Sequence, residues 1–251
     1  MTTMNYMSMT VADALALVFF VCAWLGVGWL TEHPPAGKPS VSVLMIRYRR
    51  AWMDHFVTRE PRIFDGNILA SLREGTAFFA SACMIAIGGG LAVLGNAERL
   101  RGLADDLEMA DRSALVWQAK LVLVLALVGN AFLKFVWSHR LFGYCAIMMG
   151  AVPNNPADPE ARPRAMQAAD LNITAARSFN AGLRSVYFAM AALGWLAGPW
   201  GLVAATVAVL FVTWRREFAS ESRRVMLRAL PAPEWPGHVP APRPAPEPPQ
   251  P

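Results

Sequence analysis

Apolar and polar residues fall in long blocks along this chain, and four apolar blocks set its plan: Val11 to Leu30, Thr76 to Gly95, Leu115 to Trp137 and Tyr187 to Trp214. About 20 mostly apolar residues cover the hydrocarbon of a bilayer, so the pattern predicts four membrane spans. Between them the apolar positions keep a helical period. Val41, Leu44, Met45, Tyr48, Trp52 and Phe56 share one face of a helix over Ser40 to Val57, with Arg47, Arg49 and Arg50 on others. That basic amphipathic helix suits either the headgroup layer or the protein's own surface. Pro61 breaks the chain before a helix from Arg62 into the second block, and Ser113 is placed to cap the third. Ser138 to Val152 is too short to cross, and reads as a helix extension or an interfacial segment. Residues 153–163, PNNPADPEARP, form a loop, and Arg164 to Arg184 carries Met166, Ala169, Ile173, Ala176 and Phe179 at core spacing. The expected fold is an all-α polytopic membrane bundle over residues 1–230, with about four transmembrane helices plus amphipathic interfacial helices. A disordered proline-rich tail follows at 231–251.

Composition agrees: 55% of the 251 residues are hydrophobic and 16% charged. The first apolar run lacks preceding basic residues and a small-residue cleavage pattern, so it reads as a retained span. Lys and Arg number none in residues 1–10, seven in 31–75, three in 96–114, five in 138–184 and six in 215–251. The first three segments put the N-terminus outside a bacterial inner membrane. With four simple spans, 12 basic residues lie inside and 9 outside; the tail disagrees with the rule. The fourth block has 28 residues, interrupted by Gly198-Pro199-Trp200-Gly201. It forms either one kinked span or a re-entrant hairpin, and the hairpin gives 18 inside against 3. The excess of arginine flanks spans, so its expected partners are the lipid bilayer and anionic headgroups, with a membrane-protein partner or homo-oligomer in addition, and no nucleic acid.

Ionisable residues inside spans are the first candidates for chemistry. Lys120 and Lys134 lie about 40° apart around the third span, sharing a stripe with Asn130. Depth matching suggests the pairs Asp13–Lys120 and Glu74–Lys134, as structural links or as a pathway for a solute or proton; both lysines are also near enough to a surface to snorkel. Ala82, Ala86 and Gly90, and Gly194 with Gly198, form small-residue seams for helix packing. His33, His55, His139 and His238 lie outside the span interiors, Cys22, Cys83 and Cys145 are far apart, and Ser81 has no helical His partner. No metal set, catalytic residue or cofactor site is expected. Asn172-Ile173-Thr174 matches a glycosylation sequon on the predicted inner side.

The polar borders of the spans, RYRRAWM (47–53), TREPRIFDGNILASLREGTAFFAS (58–81), FLKFVWSHRLFGYC (132–145), SFNAGLR (178–184), GPW (198–200) and RREF (215–218), resemble a family of bacterial and plant integral membrane proteins known as domain of unknown function 599. The resemblance implies a multi-pass membrane protein and supplies no activity. Its blocks contain Arg47, Arg50, Arg59, Glu60, Arg62, Asp65, Glu74, Lys134, Arg140, Asn180 and Arg184, which the topology gathers into a charged cluster on the cytoplasmic side. The expected function is a non-enzymatic accessory protein of a membrane complex; the alternative is a small-solute or ion transporter using the lysine stripe.

Overall fold

A computed structural model describes residues 10–96 and 114–228. The Ser113 cap, the acidic loop after residue 96 and the tail at 231–251 lie outside the described residues. All regular structure among those described is helical: α1 (Val11–Glu32), α2 (Val41–Thr58), α3 (Ile63–Leu94), α4 (Ala114–Gly150), α5 (Ala161–Leu193), a 3-10 turn (Gly194–Ala197), α6 (Pro199–Phe218) and α7 (Glu221–Leu227). The all-α bundle is as the periodicity requires. Three helices, α1, α3 and α4 from Val116, are long and apolar enough to cross a membrane by length and composition.

The axis of the bundle is a long antiparallel pairing of α4 with α5. Lys120 meets Trp195, Asn130 donates to Ser185 Oγ at 2.7 Å, Ser138 Oγ donates to the Ala175 carbonyl at 2.7 Å, and Cys145 Sγ to that of Ala168 at 3.3 Å. Small residues allow this closeness. Ala161, Ala165, Ala168, Ala169 and Ala175 are fully buried, and a Cβ on Gly182 would stand 2.7 Å from the Phe135 ring. Phe135 stacks on Phe79 of α3 at 5.3 Å and tilts against Phe179 of α5 at 5.4 Å. α3 also runs antiparallel to α4, with Gly90 against Leu125. Of the small-residue stripe on α3, then, Gly90 faces a helix, whereas Ala82 and Ala86 are exposed.

The fourth apolar block is not a single kinked span. α5 ends at Leu193, the 3-10 turn follows, and Gly198 at φ 108° starts α6 in the opposite direction, with Pro199 in its first turn. Only glycine accepts that φ readily, and proline fits the first helical turn because its missing N–H has no helical partner there. Gly194 and Gly201 let the two limbs touch through backbone: a Cβ on Gly194 would stand 2.7 Å from the Gly201 carbonyl oxygen. The seam is thus Gly194 with Gly201, across the turn, rather than Gly194 with Gly198 along one face. The reversal brings Arg216 Nη1 to the Tyr187 hydroxyl at 2.6 Å. α6 then runs beside α1, from the Trp195 end to a cleft shared by Leu30 and Trp214.

Beyond α1 and α6, the other helices continue as a second block. The N-terminal halves of α3 and α5 and the C-terminal halves of α2 and α4 surround Met53, Phe56, Leu69, Phe142, Cys145 and Met149. Of the two settings open to the amphipathic α2, the structure adopts the protein surface: Leu44, Met53, Phe56 and Val57 are buried, and α2 lies antiparallel along α5. Residues 138–150 continue α4 as an extension of the third span.

Replacing Gly194 by Val should force the two limbs apart, an overpacking cost of about 1–3 kcal/mol. Gly88→Ala, where an added Cβ meets nothing within 4 Å, should stay within about 0.5 kcal/mol of the parent. Thermal unfolding in mild detergent checks both; equal melting of the two variants contradicts a tight turn.

Candidate functional site

Charged side chains fall into several separate groups, and the most enclosed lies at the reversal. Thr10 caps α1 through a reciprocal box: its Oγ1 accepts from Asp13 N at 3.1 Å, and its backbone N donates to Asp13 Oδ2 at 3.2 Å. Thr10 Oγ1 also donates to that oxygen at 2.7 Å. The other carboxylate oxygen, Asp13 Oδ1, accepts from Trp195 Nε1 at 2.8 Å, and Lys120 Nζ donates to the Trp195 carbonyl at 2.7 Å. The ammonium also stands 5.5 Å from the centre of the Trp195 ring. Asp13 and Lys120, the first predicted pair, therefore converge on one residue at 4% and 1% exposure. Trp195 itself is the member that span-by-span reading missed. Its indole N–H was the available signal, since a buried Trp needs an acceptor.

The second predicted pair is not formed. Glu74 and Lys134 are both exposed, and the antiparallel α3–α4 register sets Thr76 beside His139 and Phe79 beside Phe135, about two turns away from the register that would pair them. Depth matching ignored that register. Asn130, between the lysines, is spent on Ser185.

At the opposite, arginine-rich end the predicted cluster divides into clamps. Asp65, fully buried in the first turn of α3, accepts from Trp52 Nε1 at 2.6 Å and pairs with Arg59. Arg62 donates to the carbonyls of Val57, Val152 and Pro153 at 3.3, 2.9 and 2.9 Å, and stacks over the Phe56 ring. Arg184 bridges to Glu32 at 2.9 Å. Asn180 donates to Ser42 Oγ, whose own N–H and hydroxyl both donate to Glu217 at 3.1 Å. Arg50 meets Asp170 at the surface, Arg140 meets the Tyr144 hydroxyl, and Arg47 and Glu60 are exposed. These residues are thus used in separate contacts and do not form one constellation. The predicted cluster left out Arg49, which donates to Asn172; burial pulls its pKa below the ordinary arginine value. Asn172 is fully buried, so the sequon is closed to modification in the folded protein.

Chemically, these arrangements neutralise helix ends. Asp13 and Asp65 lie in the first turns of α1 and α3, and Arg215 and Arg216 in the last turn of α6, the signs the helix dipole favours. Among the described residues no three His, Cys, Asp or Glu side chains group as a metal would require.

A family model described as "Protein of unknown function, DUF599" matches residues 15–222, more than four-fifths of the chain. No curated protein and no solved structure matches it.

Trp195→Phe keeps an aromatic ring and the carbonyl but removes the indole donor to Asp13 Oδ1, which should cost about 1–3 kcal/mol. Combined with Asp13→Ala, the loss should fall short of the sum. Additivity within about 0.5 kcal/mol in a double-mutant cycle would contradict the contact.

Proposed function

The chain belongs to the DUF599 family, whose description assigns no activity, and from its geometry we propose a non-enzymatic accessory protein of a membrane complex. It sits in the bacterial inner membrane with its N-terminus outside and its arginine-rich block in the cytoplasm. The observation that carries this reading is where the buried charges are used. Lys120 and Asp13 hold the turn, and Arg62 and Asp65 hold helix ends, so enclosed charge stabilises a rigid body instead of lining a route. A rigid bundle with an exposed basic block suits recognition of an acidic partner at the membrane surface.

The proposed orientation draws on the reversal at Gly198. With α5 and α6 both crossing, the segments 31–75, 138–184 and 215–251 share one side and hold 18 Lys and Arg, against 3 on the other, which is the positive-inside distribution. Trp29 and Trp214, near the C-terminal ends of α1 and α6, are exposed and fit an interfacial belt on that side.

Pull-down from native membranes in gentle detergent, read by quantitative mass spectrometry, tests the proposal. A stoichiometric membrane partner is expected, and reversing the exposed Arg47, Arg140 and Arg177 to Glu should release it without lowering the melting temperature. Recovery of bare wild-type protein contradicts the accessory reading. So does a Lys134→Met variant, at normal abundance, that changes ion flux in proteoliposomes, because that result would support transport.

A further inference from the structure

In the arginine-rich block, a cleft of about 390 Å³ opens between the N-terminal half of α3 and the C-terminal half of α4. Its walls are mostly apolar: Phe56, Leu69, Ala70, Ala146 and Met149. Two cations border it, and they differ in what they hold. Arg62 is already spent on three carbonyls and on Asn154 Oδ1. Arg73 is half-buried, and its Nε is enclosed with no hydrogen-bond partner among the described residues. Side chains on a helix lean toward its N-terminus, which on α3 is the direction of Ala70, Leu69 and Gly66, the cleft wall. The carbonyl of Arg73 is tied separately, by Thr76 Oγ1 at 2.6 Å and His139 Nδ1 at 3.3 Å, so the backbone that aims the guanidinium is held.

An enclosed guanidinium N–H without an acceptor is costly, more so than a neutral donor. Apolar walls with a few polar groups at the border, at this volume, are the ordinary form of a small-ligand site. We propose that this cleft binds a small amphiphilic anion. A phosphate or carboxylate oxygen would accept from Arg73, and an apolar body would lie on Leu69 and Met149. The planar, permanently charged guanidinium suits such oxyanions. Gly66 keeps the floor open, since a Cβ there would meet nothing within 4 Å. The inference rests on the cleft alone and does not depend on the accessory role.

The test uses purified full-length protein with two ligand sources. One is octyl phosphate added in mild detergent, with inorganic phosphate as the headgroup-only probe. The other is nanodiscs of phosphatidylglycerol compared with phosphatidylcholine. Thermal stabilisation and bound ligand by native mass spectrometry are read in parallel. Wild-type protein should bind octyl phosphate or phosphatidylglycerol in one-to-one ratio, and more tightly than inorganic phosphate or phosphatidylcholine. Binding by octyl phosphate alone assigns a soluble ligand; binding by phosphatidylglycerol assigns a lipid. Arg73→Gln should weaken it at least tenfold, whereas Arg162→Gln, at an exposed pair with Asp54, should leave it unchanged. Gly66→Leu fills the cleft, keeps Arg73 and favours the helix, so it should also abolish binding without loss of fold. Equal binding by Arg73→Gln or Gly66→Leu, or no binding of either source by the wild type, overturns the proposal.

Discussion

A helix that ends inside an apolar bundle leaves backbone groups unpaired, and in lipid no water is present to pair them. This constraint governs the reversal at residues 194–198. The turn needs a donor at the closing carbonyls and something to anchor its side chain. The Gly198 N–H closes the Trp195 carbonyl at 2.9 Å, Lys120 adds a second, charged donor to it, and Asp13 anchors the indole. Each charge also has the sign its helix end favours: an ammonium at a C-terminal carbonyl, a carboxylate at the first turn of α1. With the turn held, α5 and α6 lie side by side, and α6 can run along α1.

The same solution recurs at the other end of the molecule. Glu217 from α6 accepts from the Ser42 N–H, in the first turn of α2. Asp65 occupies the first turn of α3. Arg62 bonds Val57 near the end of α2 and Val152 and Pro153 just beyond the end of α4. Between these capped ends the helices need little more than close approach, which the alanines of α5, Gly182 and Gly90 supply. Polar chemistry fixes where helices stop and turn; small residues fix how closely they pack.

Helix positions were legible because a 20-residue apolar block and a 3.6-residue period both leave direct marks in sequence, as in α1 and α2. Asp13 and Lys120 were legible as candidates because a buried charge must be answered; that both meet at Trp195 was not. The clamps at Arg62, Asp65 and Glu217 were not, because their partners are main-chain groups, which every residue carries and no residue type marks. Glu74 and Lys134 misled for a related reason: equal depth in a slab does not give equal register between two helices. The Gly198-Pro199 break was visible, but its consequence depended on Gly194 meeting Gly201 across the turn, a contact between positions that a linear reading keeps apart.

Asp13, Lys120, Arg62 and Asp65 are held at helix ends and at the turn, and the proposed accessory role rests on that use of charge. This arrangement depends on the chain turning back within its fourth apolar block. Single cysteines at Ala36 and Ser222, in a background lacking Cys22, Cys83 and Cys145, test this with a membrane-impermeant maleimide on intact and lysed cells. Turning back predicts that Ala36→Cys and Ser222→Cys share one pattern, because residues between α1 and α2 and residues of α7 lie on the same side. Labelling of one in intact cells while the other stays protected until lysis would contradict it.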